Sequence, residues 1–229
     1  MNGKKLMMAA AGGGGPSIEY IGSVTKGARY DFYWDQYEPA NVLSVAQAGD
    51  LVVMAVTATR NTSFEPFIFG GMSFQTSNQW FNVNDNMHGQ VGFRIVQSGD
   101  SNPYLTAPSD RSQAITAVFS VFRGLTAFST PTKIYANQGN VDPPSLTAAG
   151  DLWIATAHLD DRNQSTWTAP SGYTLAAFKA EQWGSTYIND KSSTALAYKI
   201  ETLTSDNPSA FSAGNNGAYV AFTLAASAA

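Results

Sequence analysis

Polar and apolar residues alternate along the chain in short runs that are separated by turn residues. The segments 93–95 and 198–200 each place an aromatic ring and an isoleucine on one side of a strand and a cation on the other. The run 114–121 alternates in the same way between two rows of side chains. No segment keeps an apolar period of about 3.6 residues over three helical turns. The pattern predicts an all-β protein and argues against a helical bundle.

The sequence also repeats itself. Ala-Gly-Asp-Leu at 48–51 recurs at 149–152, an offset of 101 residues, and further blocks follow in the same order at offsets of 101 to 105. The other matching blocks are 71–74 with 172–175, 91–95 with 196–200, 100–103 with 205–208, and 114–121 with 218–224. Ordered matches with so little drift in their offset predict an internal duplication.

Each repeat has room for six to eight short strands, with turn signals about every 8–12 residues, which is typical of β-sandwiches and jelly rolls. We therefore predict two tandem antiparallel β-sandwich or jelly-roll-like domains, residues 17–127 and 128–229. Their boundary lies where Phe-Ser-Thr-Pro-Thr at 128–132 interrupts the alternation. The Gly-Asp pairs at 49–50 and 150–151 are predicted turns, in which glycine supplies a positive φ and aspartate bonds its own backbone.

The first sixteen residues form a separate segment. Residues 6–11 give an apolar stretch of six residues, shorter than the roughly 7–15 of a secretory signal. Four consecutive glycines hold little intrinsic order, so the segment is either a flexible linker or an extended N-terminal arm that a neighbouring subunit orders. We expect the arm, and the residues expected to make its contacts are Leu6, Met7, Met8, Gly12, Gly13, Gly14 and Gly15.

Composition limits the partners. Charged residues make up 13% of the chain, about half of the roughly 25% usual in soluble proteins. The net charge of −4 offers no basic field for nucleic acid or anionic lipid, so neither nucleic acid nor a membrane is an expected partner. The absence of cysteine excludes disulfides, thiolate zinc sites and a cysteine nucleophile. A weakly charged polar surface favours coverage by neighbouring subunits, as in a homo-oligomer.

Residues with catalytic potential are sparse. Neither His88 nor His158 has another histidine or a carboxylate at metal-ligand spacing, and a zinc site would need a third ligand from a distant segment. His158 precedes Asp160 and Asp161, which predicts a histidine at the end of a strand that pairs with a carboxylate. The chain has no nucleophile elbow and no phosphate-binding loop. We predict no catalytic residues, no metal site and no cofactor, with calcium at turn carboxylates left open.

An aromatic segment at 30–37 has two interpretations. It is an ordinary strand packed on the sandwich, or an exposed platform on which sugar rings stack beside acidic hydrogen-bonding groups. In the second case the protein would bind carbohydrate, such as a glycan of a host surface. The candidate ligand-binding aromatics are Tyr33, Trp34, Tyr37, Trp80 and Trp183.

The second repeat resembles β-sandwich modules of tailed-bacteriophage virion proteins. The resemblance lies in Ala-Gly-Asp-Leu-Trp-Ile-Ala at 149–155, Ala-Pro-Ser-Gly-Tyr-Thr at 169–174 and Ala-Tyr-Lys-Ile at 197–200, together with the Met-Met-Ala-Ala-Ala-Gly-Gly-Gly-Gly opening at 7–15. It covers the first repeat only loosely, because Phe-Gly-Gly at 69–71 stands where the second repeat has Pro-Ser-Gly.

This resemblance implies a structural, non-enzymatic protein of the virion that binds other virion subunits through its arm and sheet edges. A tail or tail-fibre component is the preferred expectation. A capsid decoration or cement protein and a carbohydrate-binding host-attachment module are the alternatives.

Overall fold

The computed structural model describes residues 17–29, 40–59, 68–81, 87–106, 114–136, 139–160, 166–182, 191–213 and 217–228. Within these ranges the protein is all-β, as the alternation predicts, with fifteen strands, one 3-10 helix at Val42–Ser44 and no α-helix. The first half contains β1 (Glu19–Arg29), β2 (Leu51–Thr59), β3 (Ile68–Gly70), β4 (Gln75–Phe81), β5 (Met87–Ile95), β6 (Tyr104–Thr106) and β7 (Ala114–Arg123). The second half contains β8 (Leu125–Phe128), β9 (Thr132–Ala136), β10 (Leu146–Asp160), β11 (Trp167–Thr168), β12 (Thr174–Gln182), β13 (Lys191–Asp206), β14 (Ser212–Ala213) and β15 (Ala218–Ala228).

Each half forms one antiparallel sheet, and the two sheets share a strand order. The first sheet runs β1-β7-β2-β5-β4, and the second runs β9-β15-β10-β13-β12, with β8 also paired to β15 at the same edge as β9. Each half adds a two-stranded ribbon, β3 with β6 and β11 with β14. The registers correspond as well, since Leu51 pairs with Ile95 and Leu152 pairs with Ile200.

The two sheets pack face to face over a common core. Its buried members from the first sheet are Leu51, Val53, Ala55, Met87, Val91, Phe93, Val118 and Phe122, and those from the second are Leu125, Leu152, Ile154, Leu196, Val220, Phe222, Leu224 and Ala226. The structure therefore differs from two self-contained sandwiches: each half supplies one layer of a single sandwich. A strand such as β2 is buried along its whole length on both faces, and alternation alone does not reveal which segment covers which face.

The packing has an approximate two-fold relation. Strand β1 packs on β12 and β4 packs on β9, while β1 corresponds to β8 and β9 together, and β4 to β12, in the sheet order. The rings of Tyr20 and Tyr198 stack across the sheets, and those of Phe128 and Phe93 make the corresponding contact. The halves thus meet as two subunits of an isologous dimer would.

The outward faces of both sheets are also covered. Met54 and Phe119 of the first sheet are buried in a cluster with Val42 and Met72. In the second sheet, Ala155, Ala157 and Leu159 are buried in a cluster with Val141, Trp167 and Phe211. Loops and short ribbons therefore bury the outer face of each sheet, just as the opposite sheet buries its inner face.

Two of the predicted turns have different outcomes. Gly49 has a φ of 92° beside Asp50, whose carboxylate accepts from the backbone N–H of Gln47, as predicted. The prediction is wrong at Gly150, which lies inside β10 where an added Cβ would stand 2.8 Å from the Ala225 Cβ. Here glycine is required by close packing and not by a turn.

The chain passes from one sheet to the other at Gly124, between β7 and β8. Its φ is 83°, and an added Cβ would lie 2.8 Å from the Ser17 carbonyl oxygen. A side chain there would be strained by both the backbone conformation and the close backbone of Ser17. This crossing lies a few residues before the boundary that the sequence predicts.

Candidate functional site

A buried polar cluster joins the two sheets toward the end of the sandwich at which β2 and β10 finish. Its side chains are fully buried, and they come from β2 and β7 of one sheet and from β10 and β13 of the other. Its members are Thr57, Thr116, Thr156, His158, Ser192 and Thr194.

The imidazole of His158 is held between two hydroxyl groups. Its Nδ1 lies 2.9 Å from Oγ1 of Thr57 and its Nε2 lies 3.0 Å from Oγ1 of Thr156. A neutral imidazole suits this arrangement, because one ring nitrogen donates and the other accepts. The prediction of a strand-end histidine paired with a carboxylate is wrong: the side chain points between the sheets, and hydroxyl groups are its partners in these contacts.

A chain of hydroxyl groups continues from this histidine across the interface. Oγ1 of Thr194 lies 2.6 Å from Oγ1 of Thr57 and 2.7 Å from Oγ1 of Thr116. Ser192 Oγ donates to Thr116 Oγ1 at 3.3 Å. Each hydroxyl has one hydrogen to donate, so the contacts are satisfied only in a coordinated arrangement. The cluster therefore favours one register of the two sheets over others.

Burial controls the ionisation of the two histidines. It lowers the pKa of His158 to about 3, with the charge of His88 a smaller cause in the same direction. It also lowers the pKa of His88, in β5, to about 4. Both side chains are therefore neutral in the folded protein at pH 7. Since the cluster is sealed from solvent, its hydrogen bonds affect the stability of the protein and the way in which the two sheets pack.

The hydroxyl of Thr194 is expected to contribute measurably to stability. Thr194→Val keeps the shape and leaves the Thr57 and Thr116 hydroxyls without this partner, so we expect a loss of about 1–3 kcal/mol in the free energy of unfolding. Thr202→Val is the matched control, because Thr202 is exposed on the same strand and bonds Asp151 at the surface. Urea denaturation measures both; equal small losses for the two variants would contradict a role for the buried network.

Ion pairs hold the opposite end of the sandwich. Asp50 is 1% exposed and receives two hydrogen bonds from Arg123, at 2.8 and 2.9 Å. Arg94 bonds Asp100 at 2.9 Å, and in the second half Lys199 bonds Asp206 at 2.8 Å. The Arg94 guanidinium is the main cause that holds the pKa of Asp100 below its usual range. These pairs secure strand ends, and their carboxylates are occupied by basic partners.

Large apolar side chains are exposed at one sheet edge. In β9, Ile134 is 39% exposed and Tyr135 is 54% exposed. Ile200, on the interior strand β13, is 47% exposed. Exposed apolar groups on an edge strand are typical of surfaces that bind another chain.

Most residues singled out in the sequence lie outside the described residues. This is so for the arm, for the aromatic residues Tyr33, Trp34 and Tyr37, and for Trp183. Trp80 lies in β4, where its backbone pairs with His88, and its side chain is not described. The arm and the sugar-binding platform therefore stay predictions.

The sequence did contain one overlooked signal for the buried cluster. Thr57 and His158 are separated by the repeat offset of 101 residues, so they occupy equivalent positions in the two sheets. Residues near a two-fold axis meet their own counterparts, and these two are in contact. Knowledge that the repeats face each other would have identified them.

Among the described residues, no group of three or more His, Asp or Glu side chains is placed to hold a metal ion. Within the same part of the chain, no helix is long and apolar enough to cross a membrane. Comparisons of the chain with protein-family models, with curated proteins and with solved structures found no match.

Proposed function

We propose that this protein is a structural component of a bacteriophage virion, associated with the tail or tail fibre, which assembles with other virion subunits through its sheet edges and its N-terminal arm. The observation that carries the proposal is the placement of exposed apolar side chains on an edge strand, β9. The polar cluster between the sheets, in contrast, is sealed and inward-facing. Such a layout suits a rigid scaffold that makes its contacts at the periphery.

We further propose that the two layers arose by duplication of one unit. The shared strand order and the equivalent pairs Leu51–Ile95 and Leu152–Ile200 support this origin. A duplicated layer that closes on its own copy needs no additional subunit to complete its core. It leaves the edges of both sheets for contacts with neighbouring chains.

The low charge of the chain supports contacts with protein neighbours. With 13% charged residues, fewer ions must be desolvated when a surface is covered. The same property suits a capsid decoration protein, which would meet a lattice of identical subunits. The carbohydrate-binding alternative depends on the aromatic residues named above, none of whose side chains is described.

Incorporation into particles tests the proposal. Phage particles should be assembled with the full chain, with a chain lacking residues 1–16, and with a chain in which Leu6, Met7 and Met8 are replaced by serine. We expect the full chain to co-purify with tails, and both variants to fold normally but to be lost from the particles. The full chain should be absent from tailless heads.

Three outcomes would argue against the proposal in different ways. Retention of the full chain on heads alone would favour the decoration role. Absence of the full chain from every particle would contradict a virion role altogether. Normal incorporation of both variants would contradict the function of the arm.

A further inference from the structure

The exposed edge of β9 has a sequence that is complementary to itself. The strand reads Thr-Lys-Ile-Tyr-Ala over Thr132–Ala136. Lys133 and Tyr135 pair with Phe222 and Val220 of the core, whereas Ile134 pairs with Ala221 of the outer cluster. The lysine and the tyrosine therefore share the inner-facing side of the strand, and the isoleucine lies on the other side.

We propose that β9 is a pairing surface for a second copy of this chain, which adds its own β9 antiparallel with Ile134 at the two-fold axis. In this register Ile134 of one copy faces Ile134 of the other. Lys133 of each copy faces Tyr135 of the other copy, which gives two such pairs. An ammonium group opposite a tyrosine ring is a favourable cross-strand pair. The two lysines are diagonal neighbours and not opposite each other, so like charges are kept apart.

Three properties of β9 favour this occupant. It is the outermost described strand beside residues 219–223 of β15. Lys133 is exposed, Ile134 is 39% exposed and Tyr135 is 54% exposed, so the three central side chains can reach another chain. Pairing through a two-fold axis also matches each side chain with a complementary one, which an unrelated strand would have to supply separately.

The ladder is short, since β9 has five residues. We therefore expect the pairing to depend strongly on concentration in solution and to be reinforced where many copies are held together. This inference rests on the proposed assembly role, because a crowded particle supplies that reinforcement. Its test in solution is nevertheless independent of any particle.

Single cysteines give a direct test, because the natural chain has none. Ile134→Cys should form a disulfide-linked dimer on mild oxidation, since residues directly opposite in antiparallel strands have Cα atoms about 4.5–5.5 Å apart, within disulfide range. Ile200→Cys is the matched control, because Ile200 lies on an interior strand and is at least as exposed as Ile134. We expect at least about tenfold faster cross-linking at position 134 than at position 200.

The register has its own test. Lys133→Cys and Tyr135→Cys chains should each cross-link slowly alone, and a mixture of the two should give the mixed dimer. In the absence of oxidant, Ile134→Lys should abolish the concentration-dependent dimer seen by sedimentation velocity in the natural chain. Circular dichroism checks that each variant is folded, which is expected because all three positions are exposed.

Equal cross-linking rates at positions 134 and 200, or a natural chain that stays monomeric at every concentration, would overturn the proposal. A mixed dimer no faster than either single one would overturn the register. These failures are distinct from failure of the virion role: a chain absent from particles could still pair through β9, and a natural chain that is incorporated into particles but stays monomeric in solution would refute β9 pairing alone.

Discussion

Acidification from pH 7 to pH 4 is expected to lower the free energy of unfolding by about 3 kcal/mol for each of the two histidines. In the unfolded chain both titrate near 6.5, whereas in the folded protein burial lowers the pKa of His158 to about 3 and that of His88 to about 4. Unfolding below pH 6.5 therefore takes up protons. Stability is complete above pH 6.5 and is lost as the pH falls toward the folded-state values.

The slope of stability against pH measures this effect. Each proton taken up on unfolding contributes about 1.4 kcal/mol per pH unit to the slope. The slope of the natural chain should therefore approach the value for two protons between pH 6 and 4.5. His158→Gln and His88→Gln should each reduce the slope to about one proton. Because the chain has two histidines, the double variant should show almost none. Urea denaturation at several pH values gives all four slopes.

The shifted carboxylates of Asp100 and Asp151 do not obscure this window. The pKa values of Asp100 and Asp151 lie below their usual 3.8 because hydrogen bonds stabilise the charged forms. Their contributions are present above pH 3.8 and are lost only at lower pH. A slope that stays unchanged in His158→Gln would mean that His158 takes up no proton on unfolding, which would contradict the lowering of its pKa by burial.

The second large effect concerns the common core. Phe122→Ala is expected to lower the stability of both sheets by about 3–5 kcal/mol, because the removed ring is fully buried and contacts Tyr198 of the opposite layer. Leu152→Ala, the reciprocal change in the second sheet, should likewise destabilise the first. The protein should unfold in a single transition although it contains two sheets.

Amide hydrogen exchange resolves the two sheets separately. Phe122→Ala should accelerate exchange in β10, and Leu152→Ala should accelerate it in β2, each as much as in the substituted sheet. Acceleration confined to the substituted sheet, or two calorimetric transitions, would show that the layers unfold independently. That outcome would return the protein to the two-domain organisation predicted from the sequence.

The fold class could be predicted because alternation is a local property. The run 114–121 indicates a strand wherever that strand is placed, and the repeat offsets give the correspondence between Leu51 and Leu152. Which segments bury a strand, in contrast, depends on parts of the chain that are distant in sequence. The residues of β2 are apolar on both faces, and nothing in their order distinguishes a sheet of the same repeat from one contributed by the other.

The buried cluster was missed for a related reason. Threonine and serine on a strand are ordinary surface residues, and Thr57, Thr116 and Thr194 become significant only once two sheets bring them together. His158 was misjudged because Asp160 and Asp161 are its neighbours in sequence, whereas Thr57, its partner in space, is 101 residues away.

Because the two layers are covalently connected at Gly124, their association does not depend on the protein concentration. Two separate chains would dissociate at low concentration, while linked layers experience each other at a constant, high effective concentration. The connection also permits asymmetry at the axis. A symmetric pair of chains would place identical residues opposite each other at this position, whereas this chain places Thr57 against His158, so that a hydroxyl group lies 2.9 Å from a ring nitrogen.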